Sequence, residues 1–113
     1  PDGLVTGVQT CALPIYTRPD GFQGSPHSPG AALDYYFDWR RWLAVSKIAL
    51  STWNITAPLT VSNPQLVGEH ETSCLVSGVS VLGAEYTLYN TITTTDVPPR
   101  IETRILILEC RYQ

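Results

Sequence analysis

The side chains that could carry acid–base, nucleophilic or metal chemistry in this chain are few, and their spacing argues against it. His70 stands in "GEHE" between Glu69 and Glu71. Successive side chains of an extended segment alternate faces, so both glutamates point away from the imidazole, and a metal would need ligands from elsewhere. The other histidine, His27, lies in a stretch rich in Pro and Ser. No serine stands in a nucleophile-elbow pattern. Asp34 and Asp38 are four apart. On a strand they share a face at about 13 Å, wider than either glycosidase geometry. Asp38 reads instead as the cap of a turn. Gly78 and Gly83 are isolated turn glycines, not a phosphate loop. Asn54-Ile55-Thr56 matches the N-glycosylation acceptor, which matters only in a eukaryotic secretory setting. The expectation is a protein that is not an enzyme, with no catalytic residue, no metal ligand and no cofactor.

The cysteines divide. Cys74 and Cys110 fall where alternation asks for core residues, beside Val76 and Leu108. They form no C-x-x-C pair and read as free, buried thiols. A single disulfide, suited to an oxidising compartment, is the alternative. The tryptophans divide by role. Trp39, Trp42 and Trp53 could form a platform for sugar, or could pack the core and an interface. Packing is the reading adopted, with a carbohydrate-binding or adhesion module as the alternative. Arg40 and Arg41, between the first two indoles, are expected at the surface, free to pair with a partner's carboxylates. The candidate partner-contact or packing residues are therefore Trp39, Arg40, Arg41, Trp42 and Trp53.

The elements that must position them are mostly strands. "LDYYF" reads as a first strand from about Leu33 to Phe37. "DWRRWLA" follows as one helical turn, because Trp39 and Trp42 are three apart. "SKIALSTWNI" alternates as a second strand. "PLTVSN" and "ETSCLVSG" give a third and a fourth. "EYTLYNTITTT" is a long strand with Tyr86, Leu88, Asn90 and Ile92 on one face. "DVPPR" is a loop, since Pro98 and Pro99 cannot join a ladder interior. "RIETRILILECR" is the last strand. Its run from Ile105 to Leu108 is apolar throughout, which predicts cover on both faces, one side from a neighbouring subunit. Short strands at about ten-residue spacing predict an all-β, antiparallel β-sandwich with one short helical turn. The net charge is −3 with 15% charged residues. No basic stripe invites nucleic acid, and no apolar run of about 18 residues could span a membrane.

The beginning of the chain is of another kind. Residues 5–15, "VTGVQTCALPI", have no helical period and poor strand character. They resemble the translation of a common short-read sequencing adapter, which accounts for all eleven residues and fits a metagenomic origin. Residues 1–16 are therefore expected to be an adapter-derived artefact that packs against nothing. Residues 17–30, "TRPDGFQGSPHSPG", read as a flexible linker. Residues 31–113 form the sandwich domain.

Three motifs suggest a family. "LDYYFDWRRWL" opens the domain, "STWNI" follows, and "YTLYNTITTTD" with "RIETRILILECR" closes it. Together they resemble the phage fibre–tail adaptor family, small Ig-like virion proteins of tailed phages. Its members typically open with Asp-Tyr-x-x-Asp-Trp-x-x-Trp-Leu, matched here by Asp34, Tyr35, Asp38, Trp39, Trp42 and Leu43. They close with Tyr-Thr-x-x-Asn-x-Ile-Thr-Thr, matched by Tyr86, Thr87, Asn90, Ile92, Thr93 and Thr94, with Arg100, Glu102 and Arg104 after it. The resemblance covers roughly 29–111. Two features depart from it: "DVPPR" replaces a Gly-rich loop, and "ILILEC" replaces a strand alternating Arg with Ile. The resemblance implies a non-enzymatic virion structural protein, assembled in the host bacterial cytoplasm. Such a protein joins tail components or fibres through its sandwich surfaces, in multiple copies, with other virion proteins as partners.

Overall fold

The computed structural model describes Gln9, Thr10 and residues 16–112. The strands are β1 (Gln9–Thr10), β2 (Tyr16–Thr17), β3 (Gln23–His27), β4 (Leu33–Asp38), β5 (Ile48–Ile55), β6 (Thr60–Val67), β7 (Glu71–Ser77), β8 (Glu85–Thr94) and β9 (Ile101–Cys110), with one helical turn, α1 (Arg40–Leu43). They form two sheets, ordered β1-β4-β7-β6 and β2-β3-β9-β8-β5. The sheets pack face to face as an all-β sandwich. Every ladder is antiparallel except β3 on β9, which is parallel.

Alternation drives the packing. In β8 the residues 86, 88, 90, 92 and 94 are buried while their neighbours are not. β7 turns Thr72, Cys74 and Val76 inward by the same period of two. In β9 Leu106, Leu108 and Cys110 are buried, and Ile105 and Ile107 on the opposite face are half-buried. Cys74 and Cys110 are both free and buried, as the alternation predicts.

The expected linker is a correction. Residues 23–27 form a strand in which Ser25 and His27 are fully buried. Composition misled because each breaker has a place here. Arg111 N–H donates to His27 O in the parallel ladder, so odd-numbered residues of β3 turn their backbone groups to β9. Pro26 then turns its backbone away from β9, so its missing N–H costs no bond of that ladder. Gly24 lies under Arg18 and Tyr16, with Arg18 Cγ 3.0 Å from where a Cβ would stand. Arg18 in turn bonds Glu85, Glu109 and Asp20, fastening this segment to the outer face of β8 and β9. Tyr16, expected to belong to the artefact, pairs with Gly24 in β2. Gln9 and Thr10 pair with Tyr36 and Tyr35. The rest of the adapter-like stretch lies outside the described residues.

His27 couples the two sheets. Its Nδ1 is 2.7 Å from the Tyr35 hydroxyl on β4, and its Nε2 is 3.2 Å from Ala31 O. The neutral tautomer with hydrogen on Nε2 satisfies both, accepting from the phenol and donating to the carbonyl. Burial pushes the His27 pKa down. Above the ordinary histidine value of about 6.5, folded and unfolded chains both hold it neutral. Below that value the unfolded chain takes up a proton that the folded chain resists, so stability falls with pH. The melting temperature should therefore drop by a few degrees from about pH 7.5 to about pH 5.5. His27→Gln should melt lower at the upper pH but lose less between the two, as followed by circular dichroism. Burial also pushes the Cys74 thiol up to about 12. Mass spectrometry should find Cys74 and Cys110 unlabelled by a thiol reagent until the protein unfolds.

Candidate functional site

Four of the candidate residues, Trp39, Arg40, Arg41 and Trp42, lie at the end of the sandwich where β4 leaves its sheet. The Asp38 carboxylate accepts the Arg40 N–H at 3.0 Å and turns the chain into α1. Asp38 thus acts as the expected cap, one residue before the start of the turn proper, where Trp39 supplies no side-chain bond. The turn brings Trp39 and Trp42 edge to face, with centroids 5.8 Å apart. The Trp39 backbone N–H donates to His70 O at 2.9 Å, so the β6–β7 loop anchors the same turn.

Trp39 is fully buried, and its position rests on Asn90 of β8. Asn90 Oδ1 accepts from Trp39 Nε1 at 2.9 Å and from Thr72 Oγ1 at 2.6 Å. Asn90 Nδ2 donates to Ser51 Oγ at 2.9 Å and to Thr52 O at 3.0 Å. Every polar atom of that buried amide is satisfied. It ties β8 to β5, to β7 across the core, and to the turn.

The β8–β9 hairpin covers the indoles with cations. The Arg104 guanidinium lies 4.4 Å from the Trp39 ring centroid, and that of Arg100 lies 4.5 Å from Trp42. Both are within cation–π range. Arg100 also donates to Leu43 O at 3.2 Å and to Asp96 Oδ2 at 3.1 Å. Asp96 further accepts from Ser46 Oγ and Thr94 Oγ1, each at 2.9 Å. The Ser46 hydrogen bond, then those of Thr94 and Arg100, hold the Asp96 carboxyl below its ordinary range. Thr95 N–H donates to Lys47 O at 3.0 Å, so the loops 44–47 and 95–100 are laced together. Val45 and Val97 project from them, 94% and 97% exposed.

The five predicted residues do not form one cluster. Trp39 is core, and Trp42 is half-buried against it. Trp53 lies on β5 and packs edge to face on Phe37, with centroids 5.0 Å apart. Its indole N–H meets no acceptor among the described residues. Arg40 is exposed and already bonded within its own chain: it bonds Asp38, with Nε 2.9 Å from Oδ1, and approaches Glu71 at 3.6 Å. Arg41 is exposed. Sequence reasoning named Asn90, Arg100 and Arg104 only as strand or motif positions, without a role at the site, and did not single out Asp96. For Asn90 and Arg104 a signal existed: each is polar at an inward position of an alternating strand. Among the described residues, no three His, Cys, Asp or Glu side chains gather as metal ligands, and no helix is long and apolar enough to cross a membrane.

A family model described as "Podophage GP4 fiber-tail adaptor protein gp77" matches residues 27–109. No curated protein matches the chain. The matched span begins at buried His27 and contains the whole Trp–Arg end.

Truncating Trp39 to Ala should cost about 3–5 kcal/mol, because it removes a buried indole and orphans one acceptor site of Asn90. Trp42→Ala should cost less, since that ring is half-buried. Urea unfolding of the two variants against the parent checks the order.

Proposed function

The chain belongs to the podophage fibre–tail adaptor family, and from that premise we propose that it joins tail components or fibres by docking through the Trp–Arg end of its sandwich. Membership makes it a phage structural adaptor and a virion component that contacts other tail or fibre parts. The observation that carries the docking proposal is the pairing of rigidity with exposed apolar surface. Val45 and Val97 stand 94% and 97% exposed on loops pinned by Asp96 and by Arg100, which lies on the half-buried Trp42. Ile101, at the start of β9, is 65% exposed. Apolar anchors on a rigid frame, rimmed by charge, are what an interface uses. Arg40, Arg41 and Lys47 supply the rim. A pre-ordered surface also loses less side-chain entropy on binding.

The geometry argues against the sugar-platform alternative. A platform needs open indole faces, but Trp39 is fully buried and a guanidinium lies on one face of each ring of the pair. Membership in a family of structural adaptors supports a role without catalysis. We read the two reduced, buried thiols as suited to assembly in the host cytoplasm. We also read the low charge as leaving nucleic acid and membrane out, and the partners as other virion proteins present in multiple copies.

The test is binding of the purified protein to purified tail and fibre subunits from the same genome, by biolayer interferometry. At least one should bind, and the double substitution Val45→Asp with Val97→Asp should weaken it by about tenfold or more while the melting temperature holds. Binding that is indifferent to both substitutions would place the docking surface elsewhere. Failure to bind any subunit, with binding to a glycan array, would favour the carbohydrate module.

A further inference from the structure

The two sheets end on the same flank, and their edges are built differently. β6 closes the four-stranded sheet and carries Pro64, Asn63 at φ 50°, and a register break between Ser62 and Gln65. Each of these hinders a further strand from adding. β5 closes the five-stranded sheet and, among the described residues, pairs only with β8. Its one register break lies at its start, between Ile48 and Leu50. From Leu50 to Ile55 the ladder is regular, without a charge or a proline.

The phase of that ladder fixes what the edge offers. Thr56 N–H donates to Thr87 O, directly opposite in the continued register. Hydrogen-bonded pairs alternate, so Thr52 and Asn54 turn their backbone groups toward β8, and Ser51, Trp53 and Ile55 turn theirs outward. The Ile55 N–H is taken by Asn54 Oδ1 at 2.9 Å. Ser51 and Trp53 present theirs along the open edge. Beside them lies a shallow cavity of about 200 Å³ lined by Ala49, Leu50, Ser51, Pro64, Gln65 and Leu66. Leu50 and Leu66 are 56% and 44% exposed.

We propose that this β5 edge is an interaction surface for the β5 edge of a second copy of the chain. The two strands pair antiparallel and join two five-stranded sheets into one. A two-fold axis normal to the sheet, running between the two strands, keeps inward-facing residues on one side only if it lies level with a residue rather than between two. Level with Thr52, it sets Thr52 opposite Thr52 and makes Ser51 and Trp53 the hydrogen-bonded pairs. Leu50 then lies opposite Asn54. Charge favours a second copy as the occupant. The strand is neutral, so its self-pairing opposes no like charges. The nearest cation, Lys47, is held by Glu69 at 3.3 Å and lies before the register break, outside the regular stretch from Leu50 to Ile55. A Thr–Thr cross-strand pair is favourable in its own right. The surface lies on the flank of the sandwich, away from the Trp–Arg end, so the proposal stands or falls apart from the docking role.

Sedimentation velocity of the full chain at about 100 µM tests it. The parent should show a concentration-dependent dimer. Thr52→Lys places two cations directly opposite each other and should weaken association by roughly tenfold or more, with an unchanged circular dichroism spectrum. Asn54→Lys, also on an exposed position of β5, should weaken it too and guards against a folding defect of the first variant. Thr103→Lys, on the outer face of β9, should leave the dimer intact. A parent that stays monomeric, or a dimer equally strong in both β5 variants, overturns the proposal.

Discussion

The amide of Asn90 is the constraint on which the rest of this structure depends. It is fully buried, and it makes hydrogen bonds to Trp39, Thr72, Ser51 and Thr52. A buried polar group without partners costs about 1–3 kcal/mol for each unmet bond, whereas a fully satisfied network rigidifies what it touches. An apolar residue would fill the space in β8 with no need of any particular neighbour. Asparagine accepts one arrangement only: β5 in this register, β7 across the core, and the turn after β4 folded back so that the indole N–H arrives. Specificity, more than net stability, is what such a residue contributes.

From that fixed point the end of the sandwich follows. Trp39, once held, gives Trp42 an edge to pack against and gives Arg104 a ring to lie on. Arg100 reaches over Trp42 and is held there by Leu43 O and Asp96. Asp96 draws in Ser46 and Thr94, so two loops that carry exposed valines are locked by contacts reaching back to the core. Much of this lacing is charge-assisted, and the exposed ion pairs alone would be worth little. Their value here is geometric, since they point apolar side chains outward on a frame with little freedom left.

How much of this the sequence disclosed varies by element. β8 was legible because its inward residues alternate without interruption, and the same pattern placed Cys74 and Cys110 in the core. The turn at Trp39 was legible from the three-residue spacing and from Asp38. β3 was not, because Gly24, Ser25 and Pro26 are individually poor strand formers. What qualifies them is tertiary: a parallel partner in β9, a ladder phase that asks no N–H of Pro26 toward β9, and Arg18 lying over Gly24. The motifs of the opening and closing segments marked the family, yet they showed neither where the guanidinium groups go nor that Arg40 would bond Asp38 of its own chain. Trp53 shared a residue type with Trp39 and Trp42 but sits on a different strand and packs on Phe37, a separation that spacing along the chain does not reveal.

The central claim is that Trp39 is locked into the core by Asn90 and is not a ligand-facing ring. Hydrogen exchange at the three indole N–H groups, followed by NMR under native conditions, tests it most directly. Trp39 Nε1–H should exchange only through global unfolding, with a protection free energy equal to that of the core amides of β8. If the Trp39 indole instead exchanges as fast as a solvent-exposed one while the β8 amides stay protected, the Asn90 bond does not hold the end of the sandwich, and the account fails.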